Sequence, residues 1–257
     1  MPGTKINLNA DLGEGFGPWR MGDDAAMLDI VTSANIACGG HAGDPNVMRE
    51  TVRLAKESGV SIGAHPSYPD LQGFGRRAMA LAPDELESQM AFQIGALAGI
   101  AALEAAQVTH VKPHGALNNL ACVDRAVADT ICRAVRTVDQ TLILLAPAAS
   151  QLVVAGNAAG LRVVEEIFAD RAYLPDGQLV PRARPDAMIH GAAASLTHVL
   201  AMLEAGALIA VDGTRIATSI GSICVHGDNP DAVSVARHLR EQLGARGYRI
   251  LSLPEIA

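Results

Sequence analysis

Residues 33–45 read SANIACGGHAGDP, and the fold turns on how this stretch is read. An apolar run suited to a buried strand breaks at Gly39-Gly40 and then presents His41 and Asp44. A strand that stops at glycines and delivers groups able to move protons or bind a metal is how the edge of a β/α barrel is built. One such edge proves little, so the test is whether the rest of the chain repeats it.

It does. Residues 5–10 (KINLNA) form a strand that runs into Asp11-Leu-Gly-Glu14 and further glycines. Strands at 60–64, 108–111, 141–145, 161–167 and 222–225 complete a set of seven. They deliver His65, then Lys112 and His114, then Pro147, then Asp170 and Arg171, then His226 and Asp228. Helices are expected over 23–31, 45–58, 83–106, 123–138, 148–159, 189–204 and 230–246. Pro45 opens the second of them and Gly59 stops it. Residues 173–185 are polar and turn-rich and suit a loop or hairpin over the site. Asp212-Gly213 marks a hairpin within 208–218, and 248–253 suits a terminal strand.

No linker-like segment interrupts this rhythm, so residues 1–257 read as a single α/β domain, a parallel (β/α) barrel of about seven strands. A doubly wound open sheet is the alternative. It is disfavoured because polar tips follow six separate strands, whereas an open sheet gathers them at one crevice.

Composition narrows the function. Hydrophobic residues make up 49% of the 257 and aromatics only 3%, which fits aliphatic helices around a buried sheet. Twenty basic residues against 27 acidic, with no basic run, argue against nucleic acid or an anionic membrane as partner. The four cysteines have no metal-like or disulfide spacing, no signal peptide is evident, and no uninterrupted apolar run is long enough to span a bilayer. The expectation is a cytoplasmic protein.

The tips gather Asn9, Asp11, Glu14, His41, Asp44, His65, Lys112, His114, Asp170, Arg171, His226 and Asp228 at one barrel mouth. Histidines with carboxylates shuttle protons near neutral pH or hold a divalent ion, and Lys112 or Arg171 suits an anion. A lone histidine after a strand is commonly structural, but His41, His65, His114 and His226 end four different strands. His110, at a strand start, and His190, His198 and His238, on or beside helices, read as structural. Arg76 and Arg77 suit either solvated charge or an anion clamp. Of Glu165 and Glu166, one points into the barrel and the other toward the helices. There is no GxxxxGK[ST] loop, no GxGxxG after the first strand, no GxSxG and no HExxH.

Six ordered motifs carry a resemblance: NLNADLGEGFG, SANIACGGHAGDP, GAHPSYPDLQGFGRR, VKPHGALNN, EIFADRAY and SICVHGD. As a set they closely resemble the LamB/YcsF family over nearly the whole chain. Two positions depart from its pattern: Gly40 stands where a Phe is usual, and Asn118 where a Tyr is usual. The first departure implies a roomier or more mobile wall beside His41.

The resemblance implies a fold similar to the glycoside hydrolase/deacetylase barrel. It also implies ATP-dependent cleavage of 5-oxo-L-proline to L-glutamate, with PxpB- and PxpC-like partner subunits and ATP as co-substrate, with Mg2+ and bound here or by a partner. On that reading Asp11, Glu14, His41, Asp44, His65, Lys112 and His114 are the catalytic candidates. Asp11 and one of His41, His65 or His114 form the acid/base pair, and Lys112 or Arg171 anchors the substrate carboxylate. Asn9, Arg77, Asp170, Arg171, His226 and Asp228 are the substrate-binding candidates. Two alternatives stand beside it. One is a metal-dependent amidohydrolase or deacetylase with Asp11, His41 and His114 on the ion, and the other is a non-catalytic substrate-binding subunit.

Overall fold

Every second residue of the first strand, Lys5–Leu12 (β1), is polar: Lys5, Asn7, Asn9 and Asp11 alternate with Ile6, Leu8, Ala10 and Leu12. Neighbouring side chains on a strand point to opposite faces. The apolar set joins the main core, while Asn7, Asn9 and Asp11 are turned the other way and are also buried. A strand buried on both sides, with one side polar, belongs to a barrel with a polar interior.

The structure, a computed structural model, describes residues 3–225 and 231–257. After β1 come Asp24–Leu28 (α1), Ser33–Ala37 (β2), Pro45–Glu57 (α2), Ser61–His65 (β3), Pro83–Leu103 (α3) and Val108–Val111 (β4). Gly115–Val123 (α4), Arg125–Val138 (α5), Ile143–Pro147 (β5), Gln151–Ala158 (α6), Arg162–Phe168 (β6) and Ala192–Ala205 (α7) follow. Ala207–Ile209 (β7), Arg215–Ala217 (β8), Ile220–Val225 (β9), Ala232–Ala245 (α8), Arg249–Ile250 (β10) and Leu253–Ile256 (α9) end the chain. Strands β1 to β6 pair in order and in parallel, β9 pairs with β6, and β9 also pairs with β1. That last pairing closes a seven-stranded barrel. The hairpin expected over 208–218 is present as antiparallel β7 and β8. The terminal strand shrinks to β10, which pairs with the start of β1.

Polar residues hold the barrel's interior together. Asn9 donates to Ser222 at 2.8 Å, Asn35 donates to Asn9 at 2.8 Å, and Ser222 donates to Asn7 at 2.7 Å. At the base the lining turns apolar, and Ile143, Leu145 and Val164 close on Leu253 and Ile256 of α9. Helix α3 has the length and mean composition to cross a bilayer, although polar residues up to Gln93 interrupt its apolar run. Its Leu86, Met90, Ile94, Leu97 and Ala101 nevertheless face the protein core.

His110 is structural, as expected. It donates from Nε2 to Asn35 at 3.1 Å, and burial, with Lys112 and His65 nearby, pushes its pKa down to about 3. Room for the ring comes from Gly63, where a Cβ would overlap it. Gly63→Ala is expected to destabilise the protein by about 1–3 kcal/mol, because a packed barrel cannot move the ring aside cheaply. Urea unfolding checks this. A midpoint equal to that of the parent would mean that His110 has another place to go.

Candidate active site

Three strand ends build one cluster. Asp11 ends β1 and Glu14 follows it, His65 ends β3, and Lys112 and His114 follow β4. Together they line a cleft of about 540 Å³, walled on the far side by Phe168, Arg171 and residues 173–182. The polar segment expected over the site is therefore one of its walls.

Lys112 lies deepest. Its Nζ is 3.0 Å from Asp11 Oδ1, 3.3 Å from Glu166 Oε2 and 3.1 Å from Cys224 Sγ. Burial opposes the ammonium charge, but Asp11, Cys224 and Glu166 outweigh it and hold the Lys112 pKa well above its ordinary value. Burial raises the Glu166 carboxyl above its usual range, with Lys112 pulling the other way. Glu166 is the inward member of its pair. Glu165 turns outward, accepting the Ala149 amide and the Thr218 hydroxyl.

The histidines are set by backbone. His65 Nδ1 lies 2.7 Å from the Lys112 carbonyl and His114 Nε2 2.9 Å from the Phe74 carbonyl. Phe74 takes a left-handed φ of 55°, uncommon for a bulky residue, which aims that carbonyl at His114. Both rings thus donate away from the cleft and turn acceptor nitrogens toward it. Burial holds His114 well below the usual histidine range, helped by His41 and His65. The ligand atoms of Glu14, His41, His65 and His114 all lie within 4.8 Å of one another, a group able to hold a metal ion.

Several candidates stand elsewhere. His41 is buried behind the cleft wall, stacked on His114 at 3.6 Å with Nε2 3.2 Å from Glu14. Asp44 caps α2: one oxygen accepts from Asn46 and Val47, the other from Gly17. Three residues past His41, it has turned with the chain out of the mouth. Asn9 sits beneath the cleft, its amide committed to Ser222, Asn35 and Glu166. Arg77 is largely exposed and pairs with Asp70 outside the cleft. Asp170 is buried beside the wall without lining it, whereas Arg171 lines it. His226 and Asp228 fall outside the described residues. Arg76, Arg182 and Asn118 line the cleft as well.

A model of the LamB/YcsF family matches residues 6–257. The chain belongs to the LamB/YcsF family. It is 59% identical over 252 residues to the 5-oxoprolinase A subunit of Azoarcus sp. (strain BH72), with 98% of each chain covered. It is similar to the crystal structure of the lactam utilization protein from Thermus thermophilus. The TM-score is 0.91 at 43% identity, with 97% of this chain and 100% of that one covered. The catalytic domain of the peptidoglycan N-acetylglucosamine deacetylase from Eubacterium rectale ATCC 33656 shares the fold alone. There the TM-score is 0.52 at 12% identity over 98% of this chain and 90% of that one.

In this LamB/YcsF chain Gly40 leaves no spare room beside His41. A Cβ at Gly40 would overlap Gln93, whose buried amide accepts from the Ser67 amide at 2.9 Å and donates to its carbonyl at 2.7 Å. A polar clamp fills the space expected to be open. Asn118 does face the cleft, and its Oδ1 is buried without a hydrogen-bond partner.

Proposed function

We propose that this chain is the A component of an ATP-dependent 5-oxoprolinase, which opens the lactam of 5-oxo-L-proline to L-glutamate together with PxpB- and PxpC-like subunits. The observation that carries the reading is the 59% identity, over 98% of both chains, to a relative named as the A subunit of 5-oxoprolinase. We place it in the cytoplasm, in keeping with four buried thiols that are all free.

The chemistry suits the cleft. A five-membered lactam is a weak electrophile. Transfer of the γ-phosphoryl group of ATP, with Mg2+, to the amide oxygen gives an imidate phosphate. Water then adds to the ring carbon and the ring nitrogen leaves with a proton, which gives a γ-glutamyl phosphate, and a second water hydrolyses this to glutamate and phosphate. Asp11, Glu14, His65 and His114 are the groups that activate the first water. The two histidines turn acceptor nitrogens, and no N–H donor, toward that water.

Of the two cations expected to hold the substrate carboxylate, Lys112 is already engaged with Asp11 and Glu166. Arg171 has one Nη bound to the Val180 carbonyl at 2.8 Å and a buried Nε with no hydrogen-bond partner. Burial, with Arg182 nearby, lowers its pKa to about 10, so it stays charged at neutral pH. We assign the anchor to Arg171. Arg171→Met is expected to raise KM for 5-oxoproline about 10- to 100-fold with little change in kcat, the worth of one charge-assisted hydrogen bond. Steady-state kinetics check this.

The deciding experiment is glutamate release from 5-oxoproline by the reconstituted assembly, omitting this chain, each partner and ATP in turn. Release should require all of them. Release without ATP would point instead to a metal-dependent amidohydrolase, and unchanged release without this chain would sink the reading.

A further inference from the structure

His65 and His114 meet through bare lone pairs. A backbone carbonyl only accepts, so His65 Nδ1 and His114 Nε2, each on a carbonyl, carry the ring protons. The opposite nitrogens, His65 Nε2 and His114 Nδ1, stand 3.0 Å apart. Two lone pairs at that distance repel unless positive charge is shared between them.

A carboxylate stands beside each of these two nitrogens. Asp11 Oδ2 is 3.4 Å from His65 Nε2, and Glu14 Oε1 is 3.6 Å from His114 Nδ1. A tetrahedral ion bound by nitrogen and oxygen at about 2.0–2.2 Å separates its ligands by about 3.3–3.6 Å, and the three separations bracket that edge. The contacts behind the donors are those of a ligand set. Each histidine gives its other N–H to a carbonyl. Asp11 places its second oxygen 3.0 Å from Lys112 and 2.9 Å from the Asn35 amide, and His41 holds Glu14 at 3.2 Å.

His41 itself is set aside by geometry. Its ring is parallel to that of His114, at 2° and 3.6 Å. An ion in the plane of His114, where that lone pair points, would lie over the face of His41 instead of at its edge. The expected ligand set Asp11, His41 and His114 therefore changes: His65 takes the place of His41, and Glu14 joins.

We infer that Asp11, Glu14, His65 and His114 form a binding site for one divalent transition-metal ion of the zinc class. Two imidazoles with two carboxylates suit Zn2+, Co2+ or Fe2+ better than Mg2+ or Ca2+, which favour all-oxygen sites. When bound, such an ion would supply Lewis-acid charge beside the water that opens the lactam. The inference concerns the cleft of the proposed lactam hydrolase but is measured without substrate, so each fails separately.

The test uses the full chain, without a histidine tag, dialysed against metal-free buffer and titrated with Co2+. Saturable uptake of about one equivalent with visible d–d bands is expected, reversed by Zn2+. Glu14→Gln and His114→Ala should each weaken Co2+ binding by about 100-fold or more, beyond the loss of a mere supporting contact. His41→Gln should keep the visible bands. Circular dichroism verifies that each variant is folded. Folded wild-type protein that takes up no Co2+ saturably, or a folded His114→Ala that titrates like wild type, would overturn the inference.

Discussion

Replacing Lys112 by methionine is expected to cost about 3–5 kcal/mol of stability and to abolish glutamate release. The lysine is almost completely buried between two buried carboxylates, Asp11 and Glu166. Methionine fills the volume but leaves both acids without a counter-charge. Glu166, whose carboxyl burial already pushes upward, then escapes part of the penalty by taking up a proton. The loss should accordingly be smaller at pH 6 than at pH 8. Adding Glu166→Gln should restore part of the stability at pH 8 without restoring turnover, because the Lys112 charge beside Asp11 is still missing. Urea midpoints of the single and double variants at both pH values decide this. A single variant within about 1 kcal/mol of the parent would show that the charges are not interdependent.

Lowering the pH from 7 to 5 should destabilise chelator-treated protein. Burial depresses His41, His110 and His114, so the folded state refuses protons that the unfolded chain accepts near pH 6.5. Stability contributed this way is whole above pH 6.5 and falls as the pH drops below it. His110, with its pKa near 3, loses about 2 kcal/mol by pH 5, and His41 and His114 act in the same direction. Two acids work in the opposite sense. Burial raises Asp24 to about 6, so the folded state takes up its proton first and regains about 1 kcal/mol, and Glu166, also raised by burial, acts in the same direction. The histidines win by number. His110→Gln keeps a donor for Asn35 and should flatten the slope by about one proton. Unfolding curves that do not change between pH 7 and 5 would contradict this account.

The barrel was legible because five of its seven strands run into a glycine or proline beside an ionisable group, a pattern that depends only on local sequence. His65, Lys112 and His114 follow their strands with almost no intervening chain, so closure alone brings them to one mouth. His41 and Asp44 come after Gly39-Gly40, and a glycine pair leaves the direction of the next residues open. That direction is decided by Gln93 filling the space at Gly40 and by the demand of α2 for a cap. Helix α4 gave no warning either. Residues 115–123 are mostly apolar on every side, and His114 makes no capping bond. The alternation in KINLNADL was a usable signal for the polar interior, and with it for the inward turn of Glu166, two residues before the end of β6. The tautomers of His65 and His114 depend on which carbonyls meet the rings, and nothing in the sequence states that.

Strand β1 is paired with β9 and β10, and the amide of Asn7 donates to the Leu251 carbonyl at 2.9 Å across 244 residues. During synthesis the first strand therefore waits for residues more than 200 positions further on before its sheet can close. At about 5–20 residues per second, that leaves its edge unpaired for roughly 10–50 s. A stop codon at position 249 would take away β10, the α9 plug and this bond. Such a chain would leave the ribosome with an open seam, a substrate for chaperones and proteases.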